Sequence, residues 1–121
     1  MKKIISILVS FLIATNAFAA VKPYSGKVTV TTAGTAVALA ATSTPFYDAI
    51  ICANSGNTGI ITIGGSAVVG AVATRQGASL AAGACLTLSP TQEYVSGDLA
   101  NYYADAATNG DKVHYFYRAQ S

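Results

Sequence analysis

Apolar and polar residues alternate with a period of two through much of this chain, the pattern of strands that bury one face. Lys27 to Ala33 alternates with β-branched residues, and Ala36 to Ala40 alternates weakly around Val37 and Leu39. Lys112 to Arg118 alternates most strongly, setting Val113, Tyr115 and Tyr117 on one face and His114 with Lys112, Phe116 and Arg118 on the other. Two stretches are more continuously apolar: Ala49 to Ala53, within Tyr47 to Asn54, and Gly59 to Gly65. Such runs suit central strands covered on both sides. Cys85 to Ser89 and Tyr102 to Ala104 predict short strands. Ala67 to Ala73 reads as an edge strand or a loop, and one helical turn is expected near Ala104 to Thr108. No segment holds a 3.6-residue apolar period for three turns.

Turn chemistry punctuates these runs at Gly34, Asn54 to Gly59, Gly64 and Gly65, Gly77, Gly83, Ser96 to Asp98 and Thr108 to Asp111. Glycine tolerates positive φ, and Asn or Asp closes turns on its own backbone. About eight short strands at this spacing predict an all-β fold: a small single-domain antiparallel β-sandwich, jelly-roll-like, over residues 27–118.

The N-terminus has a different grammar. Lys2 and Lys3 precede an apolar run from Ile4 to Ala14, a polar break at Thr15 and Asn16, and the small-residue triplet Ala17 to Ala19. This is the layout of a secretory signal peptide over residues 1–19, a signal helix cut between Ala19 and Ala20, with 20–26 as a short N-terminal extension. Eleven apolar residues in a helix rise only about 16 Å, roughly half a hydrocarbon core. Contact with a membrane is therefore expected only through this segment, and only if it stays attached. The expected location is exported: periplasm, cell surface or virion exterior.

Export changes the reading of Cys52 and Cys85, the two cysteines. In an oxidising compartment they either pair or remain two buried thiols. A bond closing about 34 residues would contribute roughly 3 to 4 kcal/mol in the chain-entropy account.

Charge narrows the chemistry. From Ala20 onward five basic residues (Lys22, Lys27, Arg75, Lys112, Arg118) balance five acids (Asp48, Glu93, Asp98, Asp105, Asp111). A neutral chain without a basic stripe is not a nucleic-acid binder. His114 is the sole histidine, and no nucleophile motif accompanies it, which speaks against a serine-type triad. Asp98, Asp105 and Asp111 fall in or near predicted turns, where backbone hydrogen bonding is the usual role. The expectation is no enzyme, no cofactor and no metal site.

Aromatics concentrate late in the chain: Tyr94, Tyr102, Tyr103, Tyr115, Phe116 and Tyr117 are six of the eleven. Neighbouring strand residues point to opposite faces, so some of these rings face outwards. Tyr102, Tyr103, Tyr115, Phe116 and Tyr117 are the candidate contact residues for a protein partner or a glycan.

The order of features resembles a known group. Residues 34–40, 43–45, 49–53, the Asn57 to Gly59 turn and the Ile61 to Gly64 strand end form one stretch. It continues with Leu80 to Gly83, Leu86 to Leu88, Tyr102 to Ala104 and Gly110 to Tyr115. Together they resemble small β-sandwich proteins of bacteriophage virions, of the head-decoration, head-fibre and tail-accessory kind, across residues 27–118. The resemblance implies a non-enzymatic virion structural protein, an outer, decoration or spike-like component. Its partners would be other virion proteins or copies of itself in a homo-oligomer, with a host-surface glycan as a further candidate. Proteins of that group usually lack an export signal, and this chain departs from them there. The alternative is a bacterial periplasmic or secreted adhesin-like module that binds glycan or protein.

Overall fold

In the computed structural model, which describes residues 20–89 and 97–120, the strand at the centre of the molecule is Lys112–Gln120. The signal segment and its cleavage site at Ala19, together with Glu93 and Tyr94, lie outside the described residues. Ten strands follow in chain order: β1 (Val21–Thr29), β2 (Val37–Ala38), β3 (Pro45–Phe46), β4 (Asp48–Ala53), β5 (Ile61–Gly64), β6 (Ala78–Leu80), β7 (Cys85–Leu88), β8 (Gly97–Asp98), β9 (Tyr103–Ala106) and β10 (Lys112–Gln120). One sheet has the order β1-β10-β4-β7, a second β2-β9-β5-β6, and β3 pairs with β8 alone. All named pairings are antiparallel.

The two four-stranded sheets bury one core between them, as in a β-sandwich. Val113, Ala49, Ile51 and Ala53 come from the first sheet, and Ile61, Ile63, Leu80, Ala104 and Ala106 from the second. Val30, Leu39, Phe46 and Leu99 fill the ends. Among the described residues Phe46 is the one aromatic ring buried to completion, at 1% exposure. The alanines let the sheets approach where larger side chains would hold them apart. Tyr102, Tyr115 and Tyr117 pack at the margin of this core.

Several elements differ from the sequence reading, each for a local reason. β1 starts at Val21, not Lys27, so residues 21–26 are strand paired with β10 down to Val21–Gln120. Pro23, Ser25 and Gly26 hide that half of the strand from a propensity argument. Residues 67–73 take the loop alternative rather than the edge strand, with one isolated β-bridge between Val69 and Gln76. The helical turn lies at Leu99–Asn101, capped by Asp98, while residues 104–106 belong to β9. Three strands, β3, β6 and β8, are too short or too poor in β-branched residues to read from alternation.

The first sheet's hydrogen-bond phase explains its odd residues. Asn54 N donates to Lys112 O at 3.0 Å, and Val30 N to Asp111 O at 2.9 Å. Bonding alternates along an antiparallel pair, so the odd-numbered backbone of β10 serves β1, and Gly26 and Tyr24 bond to Tyr115 and Tyr117. Val21, Pro23, Ser25, Lys27 and Thr29 then turn their backbone away from β10, to an edge that carries no further strand among the described residues. Pro23 has no N–H to offer and needs none there.

Gly26 carries a second requirement. A Cβ at this position would sit 2.6 Å from Cζ of Tyr115, its cross-strand partner. The ring lies over the glycine, and burial raises the Tyr115 phenol above its ordinary pKa, with Tyr117 adding to the effect. Tyr24 stacks on Tyr117 with centroids 5.3 Å apart.

Candidate functional site: the outer face of the first sheet

Burial alternates along β4 and β10, so residues opposite the core-facing set form a continuous outer face. The register arranges it in rows across the strands. Lys27, His114, Cys52 and Cys85 make the first row. Ser25, Phe116, Ile50 and Thr87 make the second, and Pro23, Arg118 and Asp48 the third.

The middle row carries the apolar side chains. Ile50 is 41% exposed and Phe116 44%. They flank one another across the β4–β10 register, at a hydrogen-bonded pair. Two open clefts flank them. One, of about 570 Å³, runs along Ser25, Lys27, Cys52, His114 and Phe116. The other, of about 350 Å³, lies between Phe116, Thr87, Asp48 and Arg118.

Arg118 closes that second side with a two-point ion pair to Asp48, its Nε donating to Oδ1 at 2.8 Å and its second amino group to Oδ2. This hydrogen bond holds the Asp48 carboxyl below its ordinary pKa and lifts the Arg118 guanidinium above its own. Arg118 is exposed and Asp48 half-buried at the surface, so water reaches and screens the pair and its net contribution is small.

The cysteines are joined. Cys52 and Cys85 form a disulfide, with Cα atoms 4.0 Å apart. Ala53 N donates to Ala84 O at 2.9 Å, which makes the adjacent Cys52–Cys85 pair a non-hydrogen-bonded one, where antiparallel strands come closest. Such a bond persists in an oxidising environment, the setting of an exported protein.

The five candidate contact residues do not form one surface. Phe116 alone lies on this outer face. Tyr115 and Tyr117 face the core side of the same sheet, and Tyr102 packs at the core margin with Phe46, centroids 6.0 Å apart. Tyr103 sits on β9, opposite in phase to the core residues Ala104 and Ala106. Parity had separated Phe116 from its neighbours. It gave no sign that Ile50, read as part of a buried run, stands beside it.

The acids act on loops distant in sequence. Asp105, 1% exposed, accepts from Gly34 N (2.9 Å), Gly70 N (2.7 Å) and Ala106 N (2.8 Å). Asp111 accepts from Thr58 N (3.0 Å) and Gly59 N (2.8 Å). Asp98 accepts from Ser43 Oγ (2.6 Å), Thr44 N (2.8 Å) and Ala100 N (2.9 Å), and these bonds, the serine's foremost, lower its pKa. Asn57 imitates a strand, donating to Lys112 O and accepting from Lys112 N, both at 2.8 Å. Each aspartate among the described residues thus already has a partner within the fold. Among the described residues no group of three or more His, Cys, Asp or Glu gathers in metal-binding proximity, and no helix is long and apolar enough to cross a membrane.

No family model, curated protein or solved structure matches this chain.

Proposed function

We propose that this chain is an exported, non-enzymatic structural protein of a bacteriophage virion, an outer, decoration or spike-like component that works by surface contact. The observation that carries the reading is the strand order. Without the two-residue β3 and β8, eight strands fall into β1-β10-β4-β7 and β2-β9-β5-β6. This is the ordering of a double-sheet jelly roll, the architecture of viral capsid and lectin domains.

Fold alone does not assign function, and three further features support the proposal. Asp98, Asp105 and Asp111 are engaged in holding loops and Asp48 is paired with Arg118, which favours a rigid scaffold over a catalytic centre. Ile50 and Phe116 give the first sheet an exposed apolar centre between flanking polar rows, the anatomy of a protein-contact patch. The disulfide suits a protein assembled beyond the cytoplasm.

The test is mass spectrometry of purified virions and of the host periplasm, seeking the linked Cys52–Cys85 peptides and a peptide beginning at Ala20. Recovery in virions at a fixed stoichiometry is the expected result. Recovery confined to the periplasm or the bacterial surface overturns the virion reading and assigns the chain to the adhesin-like class.

A further inference from the structure

The two sulfurs of the disulfide occupy unequal positions. Cys85 is exposed, on a four-residue strand at the margin of its sheet. Cys52 is half-buried and lines the larger cleft on the outer face, beside Lys27 and His114. Of the two bonded residues, Cys85 is thus the more open to solvent, while Cys52 shares a cleft with an ammonium and an imidazole. His114 is directly across the register from Cys52, and Lys27 directly across from His114.

We infer that Cys52–Cys85 is a covalent docking site for an external thiol, with Cys85 the sulfur that is attacked and Cys52 the sulfur that leaves. An incoming thiolate attacks Cys85 Sγ in line with the sulfur–sulfur bond. Its electron pair forms the new bond to Cys85, the Cys52–Cys85 bond breaks, and that pair departs on Cys52 Sγ as a thiolate. One disulfide and one thiolate are consumed and one of each is formed, so no outside oxidant or reductant is required. Lys27 and His114 are positioning residues: they line the cleft that Cys52 lines, and an ammonium and an N–H donor there stabilise the charge on the departing sulfur. The remaining β4–β7 backbone pairing keeps Cys52 opposite Cys85. It can therefore attack back and expel the partner, and the link is reversible. This inference is independent of the virion reading.

The experiment treats the oxidised full chain, without denaturant, with reduced glutathione and in parallel with a cysteine-containing peptide. Free thiols are then blocked with N-ethylmaleimide and the cysteine peptides mapped by mass spectrometry. The expected adduct carries the added thiol on Cys85 and the maleimide on Cys52. The Lys27→Gln, His114→Val double variant should form it about fivefold more slowly, the effect of withdrawing nearby charge stabilisation near a protein surface. Lys27→Arg alone should retain the native rate. Faster transfer to the peptide would identify protein thiols as the preferred source, and faster transfer to glutathione a small-molecule source. Attachment mainly at Cys52, an unchanged rate in the double variant, or no adduct in the folded chain overturns the assignment. Adduct position is read on the native chain and does not depend on how any variant folds.

Discussion

Removing the Asp105 carboxylate should be among the most damaging single changes in this domain. The side chain is 1% exposed, and its two oxygens serve three backbone donors on separate segments: Gly34, Gly70 and Ala106. Asp105→Ala leaves the buried Gly70 and Ala106 N–H groups without an acceptor, at about 1 to 3 kcal/mol each, and removes a further bond to the exposed Gly34. The sum is about 3 to 6 kcal/mol. In a domain of about 100 residues this corresponds to a fall in melting temperature on the order of 20 °C.

Asp105→Asn separates the components. Oδ1 accepts from both Gly34 and Ala106, whereas Oδ2 accepts only from Gly70. An amide oriented to keep the first two bonds points its own donors at the Gly70 N–H. The Gly70 amide should then exchange much faster with deuterium while Gly34 and Ala106 stay protected. The loop is sensitive because Gly70 lies against the β9 backbone, where an added Cβ would be 2.8 Å from Ala106 N. Urea titration and residue-resolved hydrogen exchange check both variants. An Asp105→Ala protein within about 1 kcal/mol of the parent, or an Asn variant whose Gly70 amide stays protected, would refute the reasoning.

Three further outcomes are expected. Replacing both Cys52 and Cys85 by serine, a pair separated by 33 residues, should cost roughly 3 to 4 kcal/mol of stability, read as a lower urea midpoint; an unchanged midpoint counts against that account. Tyr115→Ala, which uncovers Gly26 and the core margin, should cost about 2 to 3 kcal/mol and Tyr103→Ala about 1, and equal small shifts in melting temperature would contradict the face assignment. Asp98 has its folded pKa lowered, chiefly by the Ser43 hydroxyl, so its contribution is present above the unfolded value and is lost as pH falls through the folded one. Ser43→Ala should accordingly destabilise the protein near neutrality, with the gap to the parent closing below about pH 4; a gap independent of pH would show that the hydroxyl acts otherwise.

Much of the scaffold was legible because its main strands obey simple rules. Alternation from Lys112 to Arg118 put Val113, Tyr115 and Tyr117 on one face and His114 and Phe116 on the other, and the exposures follow that division. The apolar run at Ala49 to Ala53 is indeed a central strand, β4, between β10 and β7. Its outward members, Ile50 and Cys52, were hidden by that same continuity, since an apolar run does not declare which residues lack a cover. The acids were read as turn residues, yet their main work is long-range: Asp105 reaches Gly34 across 71 positions and Asp111 reaches Thr58 across 53. Local pattern carries no signal for a partner that only tertiary folding brings near.

A protein crowded beside many copies of itself faces a hazard at every unpaired strand, because an open ladder of donors and acceptors invites another chain to continue it. β1 presents such a ladder along the margin of its sheet, interrupted where Pro23 withholds a donor and where Lys27 sets a charge. Neighbours are thereby discouraged from growing the sheet sideways into a fibre. Any contact with a neighbouring chain would then fall to the faces, where side chains rather than backbone decide which surface is recognised.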